Sequence, residues 1–207
     1  MKDLIRQSPI SFEAKPTKTS IINGWEVVLT YDGENQKSGP CIIDLSHIPK
    51  YDLQDKNLSK IKISGIEIPD KAGESTLQDN MLINRMNNTQ ASIWCLNGLE
   101  PNFSKEVFCT DITDGKAMLA LIGKDLQCIF EKITPIDLFS SSNKSPFLIQ
   151  GQILQVPCQI VVIRQTQDLS SVIFTFTRGF GNSMIEGILD AGKEWGIYPA
   201  GMGNFLY

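Results

Sequence analysis

A single histidine, His47, occurs in 207 residues. That scarcity excludes a multi-histidine metal centre. The five cysteines (Cys41, Cys95, Cys109, Cys128 and Cys158) are odd in number, widely spaced and free of any C-x-x-C pair. Neither a disulfide framework nor a zinc site fits that pattern, and most of them are expected to be small buried hydrophobes. Positive charge is also short: 19 Lys and Arg stand against 23 Asp and Glu, for a formal net charge of -4. Lys and Arg form no cluster, so no nucleic-acid partner is expected, because neutralising phosphates needs a basic patch. No apolar run approaches the roughly 18 residues of a membrane span. The N-terminus MKDLIRQSPISFEAK lacks the apolar core of a secretory signal. A cytoplasmic protein with no membrane partner is the resulting expectation.

What is present is ordinary for a globular chain: 42% hydrophobic and 20% charged residues, enough for one large domain or two small ones. Met1–Thr19 is polar and mixed and reads as an arm. Trp25–Tyr31 is β-branched and aromatic, a strand broken at Asp32-Gly33; Cys41–Asp44 is a second short strand. Lys60–Ser64 alternates charged and apolar residues, predicting a half-buried strand closed by Gly65 and Pro69. Met81–Leu96 reads as a hairpin around the polar Asn87–Gln90 turn.

In the second half, Ala117–Ile122 is an apolar run of strand length. Leu126, Ile129, Phe130 and Ile133 form one helical stripe, ended by Pro135. Ser140–Pro146 is a surface loop by composition, followed by strands over Phe147–Leu154 and Cys158–Arg164. Val172, Phe174 and Phe176 alternate with Ile173, Thr175 and Thr177. Ser183 to Glu186 has capping-box spacing, and Gly196 stands where a C-terminal glycine belongs. The order of elements from Ala117 to Trp195 suggests a split βαβ unit, and a two-layer α+β sheet is the economical packing.

Reactive residues are sparse. Asp44, Ser46 and His47 sit side by side, but neighbours in a strand or turn point in different directions, so a catalytic triad is rejected. Arg178 precedes a helix N-terminus and offers a fork for a carboxylate; the plainer reading pairs it with a surface acid. Asn84 and Arg85 are candidates to point a polar pair into a central cavity; a solvated hairpin face is the alternative. Asp79, Asp111 and Asp114 are the carboxylates to examine first, all in turn-like surroundings. Trp25, Trp94 and Trp195 read as core.

Four segments, taken in order, resemble the aminomethyltransferase (glycine cleavage T-protein) superfamily, and within it the gamma subunit of heterotetrameric sarcosine oxidase. They are Asp44-Leu-Ser-His-Ile-Pro-Lys50 with Ile61–Gly65, Leu82–Met86 with Ala91–Leu96, Thr110–Asp114 through Leu119–Gly123, and Phe176–Ser183 with Leu189–Gly192 and Gly196-Ile197. The resemblance implies a two-lobed α+β fold around a central folate-sized cavity. It would be built from ferredoxin-like split βαβ units, as a single unit over 1–207 with lobes near 20–105 and 106–207 whose interleaving is left open. The transferases' C-terminal barrel is expected to be lacking, since the sequence stops at Tyr207.

The departures bear on function. Leu77–Met86 has neither the Gly-Gly nor the paired Asp of the transferases' one-carbon segment. Arg178 is not followed by the glutamate that holds the pterin, and the cysteine signature of the iron–sulfur-maintenance branch is absent. No catalytic residue is assigned. The leading expectation is a non-catalytic, gamma-like subunit that docks on larger flavin- and folate-carrying subunits of an amine-oxidising or one-carbon complex. The alternative is a stand-alone tetrahydrofolate binder or truncated transferase, with Arg178 and the helix at Ser183 receiving a carboxylate tail. An unrelated α+β interaction domain is the third reading.

Overall fold

The computed structural model describes residues 4–103 and 107–205. A ribbon comes first: β1 (Pro16–Ile22) pairs antiparallel with β2 (Trp25–Tyr31). It turns at Asn23-Gly24, whose φ angles of 51° and 76° are those an Asn-Gly hairpin turn supplies. The arm expected up to Thr19 is therefore strand from Pro16 onward. Its side chains are mostly exposed, so no hydrophobic alternation announced it; the turn and backbone pairing order it. The preceding segment is tied down as well, since the Arg6 amide donates to Gly24 O (2.8 Å) and the Glu26 amide to Arg6 O (3.0 Å).

Next come β3 (Cys41–Asp44) and β4 (Lys50–Gln54), joined by a five-residue corner. The strand expected over Lys60–Ser64 shrinks to β5 (Lys62–Ile63), which pairs with β6 (Ile66–Glu67). The cause is local: Leu58–Lys60 is a 3-10 turn, and Ser64-Gly65 reverses the chain at positive φ. An antiparallel meander follows, of β7 (Ser75–Gln78), β8 (Met81–Arg85) and β9 (Gln90–Cys95), which contains the expected hairpin. The remaining elements are β10 (Phe108–Asp111), β11 (Lys116–Gly123), α1 (Leu126–Ile133), β12 (Phe147–Ile153), β13 (Val156–Gln165), β14 (Ser170–Thr177), α2 (Gly181–Gly192) and β15 (Tyr198–Ala200).

Two main sheets result. One is five-stranded and antiparallel, ordered β10-β4-β9-β8-β7; the other is six-stranded, ordered β12-β13-β14-β11-β3-β15, with only β15 and β3 parallel. The halves of the chain interleave: β3 lies in the sheet of the later strands and β10 in that of the earlier ones.

Side-chain alternation dictates the layers. Val172, Phe174 and Phe176 on β14 bury against the stripes of α1 and α2. Ile173, on the other face, joins Ile43, Met118, Ala120 and Val161 against Leu82, Met86 and Trp94 of the five-stranded sheet. The outer face of that sheet packs Leu53, Ile83 and Ile93 beneath Leu58 and Ile66. Each fully buried side chain of this size stabilises the fold by about 1.5–3 kcal/mol, so three apolar layers hold the two sheets in fixed relation. Trp25 and Trp94 are core, but Trp195 is only half-buried and carries the Lys132 ammonium 4.4 Å from its ring centroid.

The start of α2 corrects the capping-box reading. The helix begins at Gly181, so Ser183 is already its third residue, and Ser183 Oγ donates to Phe180 O (3.1 Å). A 3-10 turn over Arg178–Phe180 runs straight into the helix and leaves no extended residue to cap it. Gly181 is required by a close approach, since a Cβ there would lie 2.2 Å from Pro9 O. Gly196 ends the helical segment at φ 67°, as its position predicted.

Candidate functional site

Between β3 and β4 the chain crosses from one main sheet to the other, and Asp44 to Lys50 make the joint. Lys50 is fully buried. Its Nζ donates to Ser46 O (2.8 Å) and Ile48 O (2.7 Å), and its amide to Thr113 Oγ1 (2.9 Å). Ser46 Oγ accepts the Met118 amide (3.2 Å), and Asp44 Oδ1 accepts the Ser46 amide (2.9 Å). These bonds clasp the corner to β11 and to the turn at Thr113.

Burial dominates the electrostatics here. It pulls the Lys50 ammonium down to about 7, against the opposing pull of Asp44, Asp111 and Asp114. It pushes the Asp44 carboxyl upward. It also lowers His47 to about 4, helped by the charge of Lys50.

The other wall is Trp25, with the guanidinium carbons of Arg6 and Arg178 5.8 and 5.9 Å from its ring centroid. Arg178 Nη1 donates to Asp114 O (3.2 Å) and Nη2 to Gln7 O (3.1 Å); Arg6 Nε lies 3.8 Å from Asp114 Oδ1. The N-terminal segment thus lies across the joint. Two cavities remain, of about 290 Å³ beside Tyr31 and Asp44 and about 450 Å³ beside Tyr51 and Asp111. Trp25 and His47 line both.

The residues singled out from sequence do not converge. Arg178 is exposed and donates to backbone carbonyls instead of the expected surface acid, and Ser183 sits exposed on α2. Asn84 is fully buried: its Oδ1 accepts from Ser75 Oγ (2.7 Å), while its Nδ2 has no partner among the described residues. Arg85 donates to Asn87 O (2.7 Å), Asn88 O (2.9 Å) and Pro69 O (3.4 Å), holding two loops. The hairpin face is buried rather than solvated, yet none of these four lines either cavity at the joint. Asp79 occupies a hairpin turn at φ 50°, whereas Asp111 and Asp114 flank Thr113 near Lys50, with Asp111 Oδ1 accepting the Thr113 amide.

No hydrogen bond reaches the His47 ring among the described residues. Among those residues no group of three or more His, Cys, Asp or Glu could hold a metal. Cys41, Cys95 and Cys158 are buried, and all five cysteines are free.

Lys50 ends a segment of the resemblance, but nothing in the sequence marked it as buried or gave it a role. A lysine opening a KYDLQ strand looks solvent-facing; its burial depends on carbonyls two and four positions back, which only the corner geometry presents.

With this geometry in hand, solved structures supply the comparison. A chain of the heterotetrameric sarcosine oxidase from Corynebacterium sp. U-96 superimposes with a TM-score of 0.60 at 13% identity, over 74% of this chain and 84% of that one. Aminomethyltransferase T of the glycine cleavage system from Bartonella henselae gives 0.59 at 12% identity, over 90% of this chain. The fold is T-protein-like. At such identities the likeness is one of fold alone, and the match spans only 56% of the aminomethyltransferase chain. No family model matches the sequence, and no curated protein does. The α+β class expected from the resemblance is the one observed, and no sheet closes into a barrel among the described residues.

Tetrahydrofolate is the group the sequence resemblance implies, and the joint does not fit it. A pterin with its aminobenzoyl-glutamate tail needs one continuous hollow, but Trp25 and His47 stand between two smaller ones. The forks suited to a glutamate tail, Arg85 and Arg178, already donate to backbone carbonyls.

Proposed function

We propose that this chain is a non-catalytic subunit of an amine-oxidising or one-carbon complex, docking against larger flavin- and folate-carrying subunits. One observation carries the reading: Lys50 and Arg178, the cationic side chains that hold the joint together, are committed to the chain's own backbone. Each donates to two carbonyl oxygens, as Arg85 does on β8, while Arg6 meets the Trp25 ring and Asp114. A fully buried lysine with its protons so engaged holds a corner; it does not meet substrate.

The fold likeness supports the assembly half of the reading, since one neighbour is by its name part of a heterotetramer. The surface supports it too. The Arg6 amide bond to Gly24 O and the Asn23 side-chain bond to Gly98 O bring the segments that carry Leu4, Ile5, Ile21 and Leu99 to the Asn23-Gly24 turn. These four side chains are 51 to 95% exposed, an apolar surface of the kind subunits bury.

The test is co-expression with candidate flavin-bearing subunits, comparing the native chain with an Ile5→Asp/Leu99→Asp double variant. Stoichiometric co-purification that the double variant loses is expected. Co-purification unaffected by the variant would place docking elsewhere, and none with any flavin-bearing subunit would remove the reading.

A further inference from the structure

Asp44-Leu-Ser-His47 forms no catalytic relay, yet Asp44 and His47 line the same cavity of about 290 Å³, with Tyr31 and Trp25. Three of these side chains are more than nine-tenths buried: Trp25 is 1% exposed, His47 5% and Tyr31 9%. Among the described residues, no hydrogen bond reaches the His47 ring nitrogens, the Tyr31 hydroxyl or Trp25 Nε1. None of the three is among the polar atoms sealed off without a partner, so they stay within reach of the open space: Tyr31 lines this hollow, and Trp25 and His47 line it and its neighbour. A solute in the hollow can supply the partners the protein does not.

The lining also fixes the sign of the occupant. Its charged residues are Asp44 and Glu26; no lysine or arginine lines it. Asp44 accepts from the Ser46 amide and from the Ser8 and Ser46 hydroxyls; the Lys50 charge also acts on it, but that ammonium donates to Ser46 O and Ile48 O, and no cation lies within ion-pair distance of the carboxylate among the described residues. His47 is held neutral by burial, so its ring offers one acceptor nitrogen. The Tyr31 oxygen is a second acceptor, and the indole N–H is a donor that needs one. An anion would face a carboxylate without an ion-pair partner, whereas an ammonium with several N–H donors meets acceptors on Asp44, His47 and Tyr31.

We infer that this cavity binds a small primary or secondary ammonium carrying one acceptor oxygen, with Asp44 as its counter-ion and Trp25 Nε1 as donor to the oxygen. At about 290 Å³ the space lies at the lower end of small-molecule pockets and admits such a ligand. The inference goes beyond the docking reading and does not rest on it: the site lies inside this one chain.

His47 is the sole histidine, so its imidazole gives a single NMR signal that reports on the cavity directly. The full chain is titrated with ethanolamine, with ethylene glycol as the near-isosteric neutral probe and acetate as the anion. Ethanolamine is expected to shift the His47 signal saturably in the millimolar range; the other two are not. Asp44→Asn keeps the oxygen that receives the Ser46 amide, and it should weaken ethanolamine binding by about tenfold or more. Tyr31→Phe removes only a hydroxyl and should weaken binding several-fold, giving a second reading should the Asp44 variant fold poorly. An unmoved His47 signal with ethanolamine overturns the inference. So does a shift by ethylene glycol of equal affinity, or Asp44→Asn and Tyr31→Phe variants that both bind as tightly as the native chain.

Discussion

Arg178 Nη2 donates to the carbonyl oxygen of Gln7, 3.1 Å away across 171 positions of sequence. This bond, with Nη1 on Asp114 O, pins the N-terminal segment over Trp25. Arg178→Ala should release that segment at a cost of about 1 kcal/mol, the solvent-exposed setting holding the effect below that of a buried charged bond. Hydrogen exchange at the Arg6 and Glu26 amides is the measurement, and both should exchange faster. Lysine should not restore them, because a single ammonium cannot reproduce the two-pronged fork. Unchanged exchange would mean that Arg178 does not hold the segment.

Lys50 gives a pH signature. Its folded value of about 7 lies below the 10.5 of an ordinary lysine. Between those values the unfolded chain binds the extra proton, so stability rises with pH through the window. Above about 9 the buried thiols oppose it: Cys41 and Cys158 are raised to about 11, so the unfolded chain loses those protons first. The thiols are therefore silent from pH 7 to 9, and the raised Asp44 carboxyl opposes the rise in native chain and variant alike. In urea unfolding the native slope should exceed that of Lys50→Met there by up to ~1.4 kcal/mol per pH unit. The variant also leaves two carbonyls unpaired, so the comparison is of slopes; parallel slopes would contradict the burial effect.

Glu34 fastens the end of the described chain to its start. Its Oε2 accepts the Tyr31 amide (2.9 Å) and the Gly201 amide (2.9 Å), and its Oε1 accepts from Asn204 Nδ2 (2.8 Å). The side chain is 5% exposed. Glu34→Ala strands three donors and should cost roughly 2–4 kcal/mol in denaturant unfolding, with Glu34→Gln milder because one acceptor oxygen survives. An alanine variant as stable as the native chain would show the carboxylate to be dispensable.

Tetrahydrofolate should show no saturable binding up to high micromolar concentration, by fluorescence quenching of the tryptophans or by calorimetry. Trp25 forms the wall between the two cavities, so a ligand joining them would have to displace it. A saturable signal abolished by Arg178→Ala would restore the folate-binder reading.

Much of the fold was legible because its strands have one apolar face. The alternation of Val172–Thr177 and the stripe of Leu126 to Ile133 describe β14 and α1 almost residue by residue. β1 was not legible: an exposed ribbon held by a turn leaves no hydrophobic pattern, although Asn23-Gly24 was its available signal. Ser183 misled because capping-box spacing says nothing of whether the chain is already helical upstream. The joint was the least legible part. Lys50 and Glu34 are buried by partners that come from turns and from distant segments, and hydropathy along the chain marks both as solvent-facing.

The most direct measurement is the composition of the native particle. The chain is tagged, purified from its own source cells under low-salt conditions, and analysed by light scattering coupled to flavin absorbance and mass spectrometry. The expected result is a stoichiometric assembly in which this chain accompanies a larger, flavin-bearing subunit. A flavin-free monomer, stable on its own and indifferent to every larger oxidoreductase chain present, would contradict the proposal.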